Sequence, residues 1–175
     1  MKKLLLFSML IGALICAVGY AREHDSGEGA LQGFYNADPG MSGLVGRAYA
    51  YAIFPDVGEG AFIVGGGGGK GFVYQGGKLV GTSKMGYVTF GAQVGGQGYQ
   101  ELIVFANEHA FRNFKDGKLK FHAGVAAVIA EAGAAQKAAF HEGVAVFIRN
   151  QKGAMLKAAI GGQGFSYHPI GEKDD

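Results

Sequence analysis

The chain has 175 residues, of which 33 are glycine, one is cysteine and none is tryptophan, and its formal charge is +2. A single cysteine excludes an internal disulfide framework and a thiolate zinc site. Near-balanced charge excludes the broad basic footprint of a nucleic-acid binder.

Lys2 and Lys3 precede an almost unbroken apolar run, Leu4 to Val18, and Gly19 and Ala21 put small residues where a signal peptidase reads. Residues 1–21 therefore read as a cleaved secretory signal, which sends the chain to the periplasm or outer-membrane surface of a bacterium. The run is short of the ~20 residues a membrane span needs, which argues against a retained anchor. Ile15 precedes Cys16 where a lipidation motif wants a small residue, which argues against a lipoprotein. Removing 21 of the 175 residues leaves 154, enough for one domain that buries about 70% of its unfolded surface. Without Lys2 and Lys3 the 16 basic residues become 14, equal to the 14 acidic ones. The segment from Gly71 to Lys157 nevertheless holds ten bases against five acids, so an anion-binding surface is expected there.

Residues 22–40 (REHDSGEGALQGFYNADPG) are polar, glycine-containing and without apolar periodicity, the pattern of a flexible arm. The domain is expected over 41–170, with 171–175 as an acidic tail. Asp38 before Pro39 marks a helix start, and Met41, Leu44, Val45, Ala48 and Ala52 share a helical stripe, so the spacing predicts a helix over Met41 to Ile53 ending before Pro55. From Gly60 onward the pattern changes to short Val-, Ile-, Phe- and Tyr-rich runs broken by glycine, which reads as strands.

Phe72 to Tyr74 and Leu79-Val80 flank Gln75-Gly76-Gly77-Lys78, a hairpin whose Gly-Gly pair suits the positive φ angles of a tight turn. Tyr87 to Val94 alternates as a strand, and Leu102 to Phe105 reads as a strand buried on both faces. Asn107 caps an amphipathic helix over Glu108 to Asp116, with Ala110, Phe111 and Phe114 on one side and Gly117 as its stop. Phe121 to Ile129, Val144 to Arg149 and Met155 to Ile160 read as further strands, and Glu131 to Phe140 is open between a helical turn and a loop. The expectation is an α+β fold: a strongly bent, mostly antiparallel glycine-rich sheet or partial barrel with an N-terminal helix and one inserted amphipathic helix.

The run GGGGGKGF from Gly65 to Phe72 fails as a phosphate loop, since Val64 stands at the first glycine position and Gly71 where magnesium needs a hydroxyl. The pattern GG[KQ]G[FY] recurs at Gly68 to Phe72, Gly95 to Tyr99 and Gly161 to Phe165. Repeated glycine in strands marks bulges, tight bends or close backbone approach.

AYAIFPDVGEGAFIVGGGGGKGFVY, GAQVGGQGYQELIVF and AAIGGQGFSYHP together resemble the SYLF domain, a lipid-binding family of exported bacterial proteins and of eukaryotic proteins linking membranes to actin. The similarity spans about Ser42 to Pro169. It implies a non-enzymatic module that binds membrane phospholipid. The predicted helix at Met41 carries only Arg47 as a base, and a signal peptide leads away from actin and phosphoinositides, so lipid binding in general is what carries over.

Arg112, Lys115, Lys118 and Lys120 are the densest bases and the candidate contact for an anionic headgroup, against an ordinary solvated helix face with Glu108 and Asp116 among them. At ~1 kcal/mol per base, four give ~4 kcal/mol, equivalent to a dissociation constant near ~1 mM. Lys70, with Lys78 and Lys84 near the hairpin, is a second candidate. Tyr49, Tyr51, Phe54, Phe62 and Phe72 fit a core better than a lipid interface. Asp56 and Glu59 read as turn acids, His109, His122 and His141 lack metal spacing, and Ser42, Ser83 and Ser166 lack a nucleophile context. No catalytic residue, metal or cofactor is expected. The alternative is an envelope interaction module that binds itself or another protein without lipid specificity.

Overall fold

A computed structural model describes residues 26–59, 66–88, 98–119, 127–149 and 162–171. Within them lie three helices and one open, seven-stranded sheet, an α+β fold. Helix α1 runs over residues 26–37 and α2 over Gly40–Arg47. The strands are β1 (Ala50–Glu59), β2 (Gly66–Gln75), β3 (Lys78–Val88), β4 (Tyr99–Phe105), β5 (Val128–Ile129), β6 (Val144–Arg149) and β7 (Gly164–Pro169), with α3 (Glu108–Lys115) between β4 and β5. The sheet order is β5-β6-β4-β1-β2-β3-β7, and every pair is antiparallel except β5–β6.

The expected flexible arm is instead helical from residue 26. Gly27, Ala30, Leu31 and Phe34 are buried at helical spacing, but two of the four are too small to register as an apolar stripe. Their smallness is what seats the helix. A methyl group on Gly27 would lie 2.8 Å from the Phe72 ring, so α1 presses its backbone onto the sheet.

The expected helix to Ile53 ends early, because Ala48 is already extended and β1 begins at Ala50. Residues Ala50 to Phe54 alternate between the two faces of the sheet and are buried on both, which only a central strand achieves. Pro55 does not stop the segment. It sits in a bulge, where the register of β1 against both β2 and β4 slips by one residue, so its missing N–H costs no ladder bond.

The hairpin is as expected, with φ of 57° and 75° at Gly76 and Gly77 joining β2 to β3. So are β4, buried along nearly its whole length, and α3, whose Asn107 side chain accepts from Ala110 N–H at 2.9 Å. Residues Glu131 to Lys137 form turns, and Val128–Ile129 is the described part of the strand expected from Phe121. Residues 89–94, Gly95 to Gln97 and Met155 to Ile160 lie outside the described residues.

One face of the sheet holds α1, α2 and the 131–138 turns over Tyr51, Ile53, Phe72, Tyr74, Val104 and Phe147. Asp38 ties these together: its carboxylate accepts from Ala135 N–H at 2.8 Å and Gly40 N–H at 3.0 Å, which hold its pKa below the usual carboxylate value. The other face holds α3, with the Phe114 ring 5.0 Å from Phe105 and 5.3 Å from Phe165. Gln163, just before β7, hydrogen-bonds Glu101 on β4, although β1, β2 and β3 separate those strands in the sheet. The sheet therefore curls around α3, bent as expected but not closed.

Candidate functional site

Helices α1 and α2 cover only part of their face of the sheet. Beyond Phe72 the ladder carries Asp56 of β1, Lys70 of β2, Lys84 of β3 and Ser166 of β7 in one cross-strand row, and all four are exposed. Paired residues of a ladder share a face, so two lysine side chains stand side by side. Like charges directly opposite destabilise a sheet, and Asp56 on the flank of Lys70 offsets part of that.

The next row outward has no side chains at all. Gly58, Gly68, Gly86 and Gly164 are register partners across β1, β2, β3 and β7. Among the described residues, a methyl group on Gly58 or Gly86 would meet nothing within 4 Å. The glycines of β2 on the opposite face differ: methyl groups on Gly69 and Gly71 would overlap the Asp56 carbonyl and the Phe54 ring. A methyl group on Gly68 of the same strand would also overlap backbone, the Met85 carbonyl, so β2 needs glycine on both faces and the open positions of the row are Gly58 of β1 and Gly86 of β3. Thr82 and His168, half-buried, complete the patch on the Phe72 side.

The expected basic cluster lies on the other side of the sheet and is locally neutralised. Arg112 pairs with Glu108, and Lys118 Nζ lies 2.9 Å from the Asp116 carboxylate, both pairs well exposed. Lys115 Nζ sits 4.9 Å from the Phe111 ring centroid. Lys120 falls outside the described residues. The four described contact candidates therefore do not converge: Lys70 belongs to the face with the glycine row, Arg112 and Lys115 belong to α3, and Lys118 follows it. Lys78 sits at the hairpin turn, opposite Gln75, so it leaves the Lys70–Lys84 pair as well. Tyr51, Phe54 and Phe72 are core residues, and Tyr49 is half-buried.

A second polar cluster was not expected from the sequence. Glu101 is fully buried in β4, and its carboxyl accepts from Gln163 Nε2 at 2.9 Å, which is also 3.4 Å from the Tyr99 hydroxyl. Burial pushes the Glu101 carboxyl up to about 8, only partly countered by the Gln163 hydrogen bond. It is therefore mostly a neutral acid at pH 7. Tyr99 ends the second GG[KQ]G[FY] copy and Gln163 lies in the third, so those copies meet at this cluster. The signal that was legible is the lone acid in YQELIVF, an otherwise near-apolar strand.

Among the described residues, no group of three or more His, Cys, Asp or Glu side chains could hold a metal ion. No described helix is long and apolar enough to cross a membrane. Compared with known proteins, the sequence matches no family model and no curated protein sequence.

Proposed function

We propose that the protein is an exported, non-enzymatic module that binds membrane phospholipid through the open face of β2, β3 and β7. The observation that carries this reading is the Lys70–Lys84 pair set beside the row Gly58, Gly68, Gly86 and Gly164. Two ammonium groups held at ladder spacing suit an anionic phosphodiester, and the glycine row leaves room for the adjoining glycerol and carbonyl groups beside them. The signal-like N-terminus and the resemblance to SYLF domains support the same reading.

Magnitudes limit how it binds. Two lysines at ~1 kcal/mol each contribute ~2 kcal/mol, a factor of ~30 in affinity. Charge alone does not hold the protein on a bilayer, so contact with the glycine row supplies the remainder.

Co-sedimentation of the purified chain with phosphatidylglycerol-containing vesicles and with uncharged vesicles tests the reading. The expected result is sedimentation with the anionic vesicles, reduced about tenfold or more by Lys70→Gln with Lys84→Gln. Absence of sedimentation with either vesicle, together with no co-purified lipid by mass spectrometry, would sink it. Concentration-dependent self-association without lipid dependence would instead favour an envelope interaction module.

A further inference from the structure

At the other end of the same face, between α1, the C-terminal end of α2 and the β2–β3 turn, lies a cavity of about 310 Å³. Tyr35, Tyr51, Val45, Gly46, Gly76 and Gly77 line it. The volume lies in the range of small-ligand sites, which run from ~300 to ~1,000 Å³. From this lining we infer that the cavity is a binding site for a methylated ammonium group, such as that of choline.

Four features point to a cation of low hydrogen-bonding demand. The lining includes Tyr35 and Tyr51, and an aromatic face attracts a cation through its quadrupole. Tyr51 is braced from behind by Tyr74, with ring centroids 4.9 Å apart and planes at 11°, so its ring orientation is fixed. Val45, Gly46 and Ala48 bring the C-terminal end of α2, the negative pole of the helix, to the cavity wall. Among the described residues, no lysine, arginine or histidine lines the cavity. Arg47 follows Gly46 but folds back along the helix, its guanidinium 3.3 Å from where a methyl on Gly43 would be.

Electrostatics around the site agree in sign. Burial first, then the Tyr35 and Tyr74 phenols and the Glu28 carboxylate, hold the Tyr51 hydroxyl above the ordinary tyrosine range. Burial does the same at Tyr35. Both phenols stay neutral at physiological pH, and Glu28 adds negative potential nearby. Among the described residues no acidic side chain lines the cavity, so a primary ammonium would find only hydroxyl and backbone acceptors there and no counter-ion. A quaternary ammonium has no N–H to satisfy. The inference stands apart from the lipid reading of the lysine and glycine rows, and its residues do not overlap with theirs.

The test is a titration of the purified chain with choline, followed by NMR of the tyrosine rings. Neohexanol, in which carbon replaces the quaternary nitrogen, serves as the uncharged comparator. Saturable choline binding with neohexanol at least about tenfold weaker supports the assignment. Gly46→Leu fills the cavity from a position where an added Cβ meets nothing within 4 Å, and leucine favours a helix over glycine. It should abolish choline binding while leaving the thermal melt intact. Tyr35→Leu should weaken binding about fivefold, whereas Tyr35→Phe should retain it. This pair decides the matter should Gly46→Leu fail to fold. Equal binding of choline and neohexanol, no saturable choline binding, or choline binding that survives in folded Gly46→Leu would each overturn the inference. Competition between free choline and phosphatidylcholine vesicles identifies a lipid headgroup as the source. Choline binding without such competition identifies a soluble methylated amine. Lys70→Gln with Lys84→Gln should leave choline binding unchanged, which separates this site from the basic face.

Discussion

The two faces of the sheet spend their bases differently. On the α3 face, Arg112, Lys115 and Lys118 each rest against an acid or a ring on the same short segment, over an aromatic core. On the α1–α2 face, Lys70 and Lys84 are set side by side by strand register and are followed by a row of glycines. Density of charge along the chain and charge paired by strand register therefore fall on opposite faces of the sheet. A ladder sets the spacing of Lys70 and Lys84 with Asp56 on their flank, whereas Arg112 has its acid one helical turn away at Glu108.

The comparison requires both faces to be equally well packed at their centres, which large-to-small substitutions can break. Phe34→Ala under α1 and Phe114→Ala in α3 should each cost about 3–5 kcal/mol by urea denaturation, since both rings are fully buried. A small effect at Phe34 alone would mean that α1 is not an integral layer.

Next in size is the pH dependence set by Glu101. Its folded pKa is raised to about 8, so its contribution to stability is fully present below the ordinary carboxylate range and is lost as pH rises toward 8. The slope is at most about 1.4 kcal/mol per pH unit. Glu101→Gln should flatten that slope between pH 5 and about 8, measured as thermal stability against pH. An unchanged slope would contradict the buried neutral acid.

The two roles of glycine separate in a third experiment. Gly69→Ala should cost about 1–3 kcal/mol, because the methyl group meets the Asp56 carbonyl. Gly86→Ala should stay within about 0.5 kcal/mol, because its added methyl meets none of the described residues within 4 Å. The smallest effect is expected for Arg112→Ala and Lys118→Ala, each under about 1 kcal/mol, since both ion pairs are exposed.

Much of the fold is legible in the residues themselves. Gln75-Gly76-Gly77-Lys78 specifies its hairpin, Asn107 and Gly117 bracket α3, and Leu102 to Phe105 is apolar enough to be central. Helix α1 is not legible, because Gly27 and Ala30 supply half of its buried stripe and their contribution is closeness rather than area. The end of α2 is misread because AYAIFP carries apolar residues compatible with either period, and only burial on both faces decides for a strand. Lys70 is legible as a candidate, but its partnership with Lys84 and the alignment of glycines from four strands are properties of register. Register depends on long-range pairing that no local spacing encodes.

The central claim is that the ladder-spaced lysines, not the helix-borne ones, meet the membrane. Vesicle co-sedimentation of two multiple variants tests it most directly. Lys70→Gln with Lys84→Gln should lose about tenfold or more of the binding to anionic vesicles. Arg112→Gln with Lys115→Gln and Lys118→Gln should retain binding within about threefold. The reverse order, with the α3 variant losing binding and the β2–β3 variant retaining it, would contradict the account.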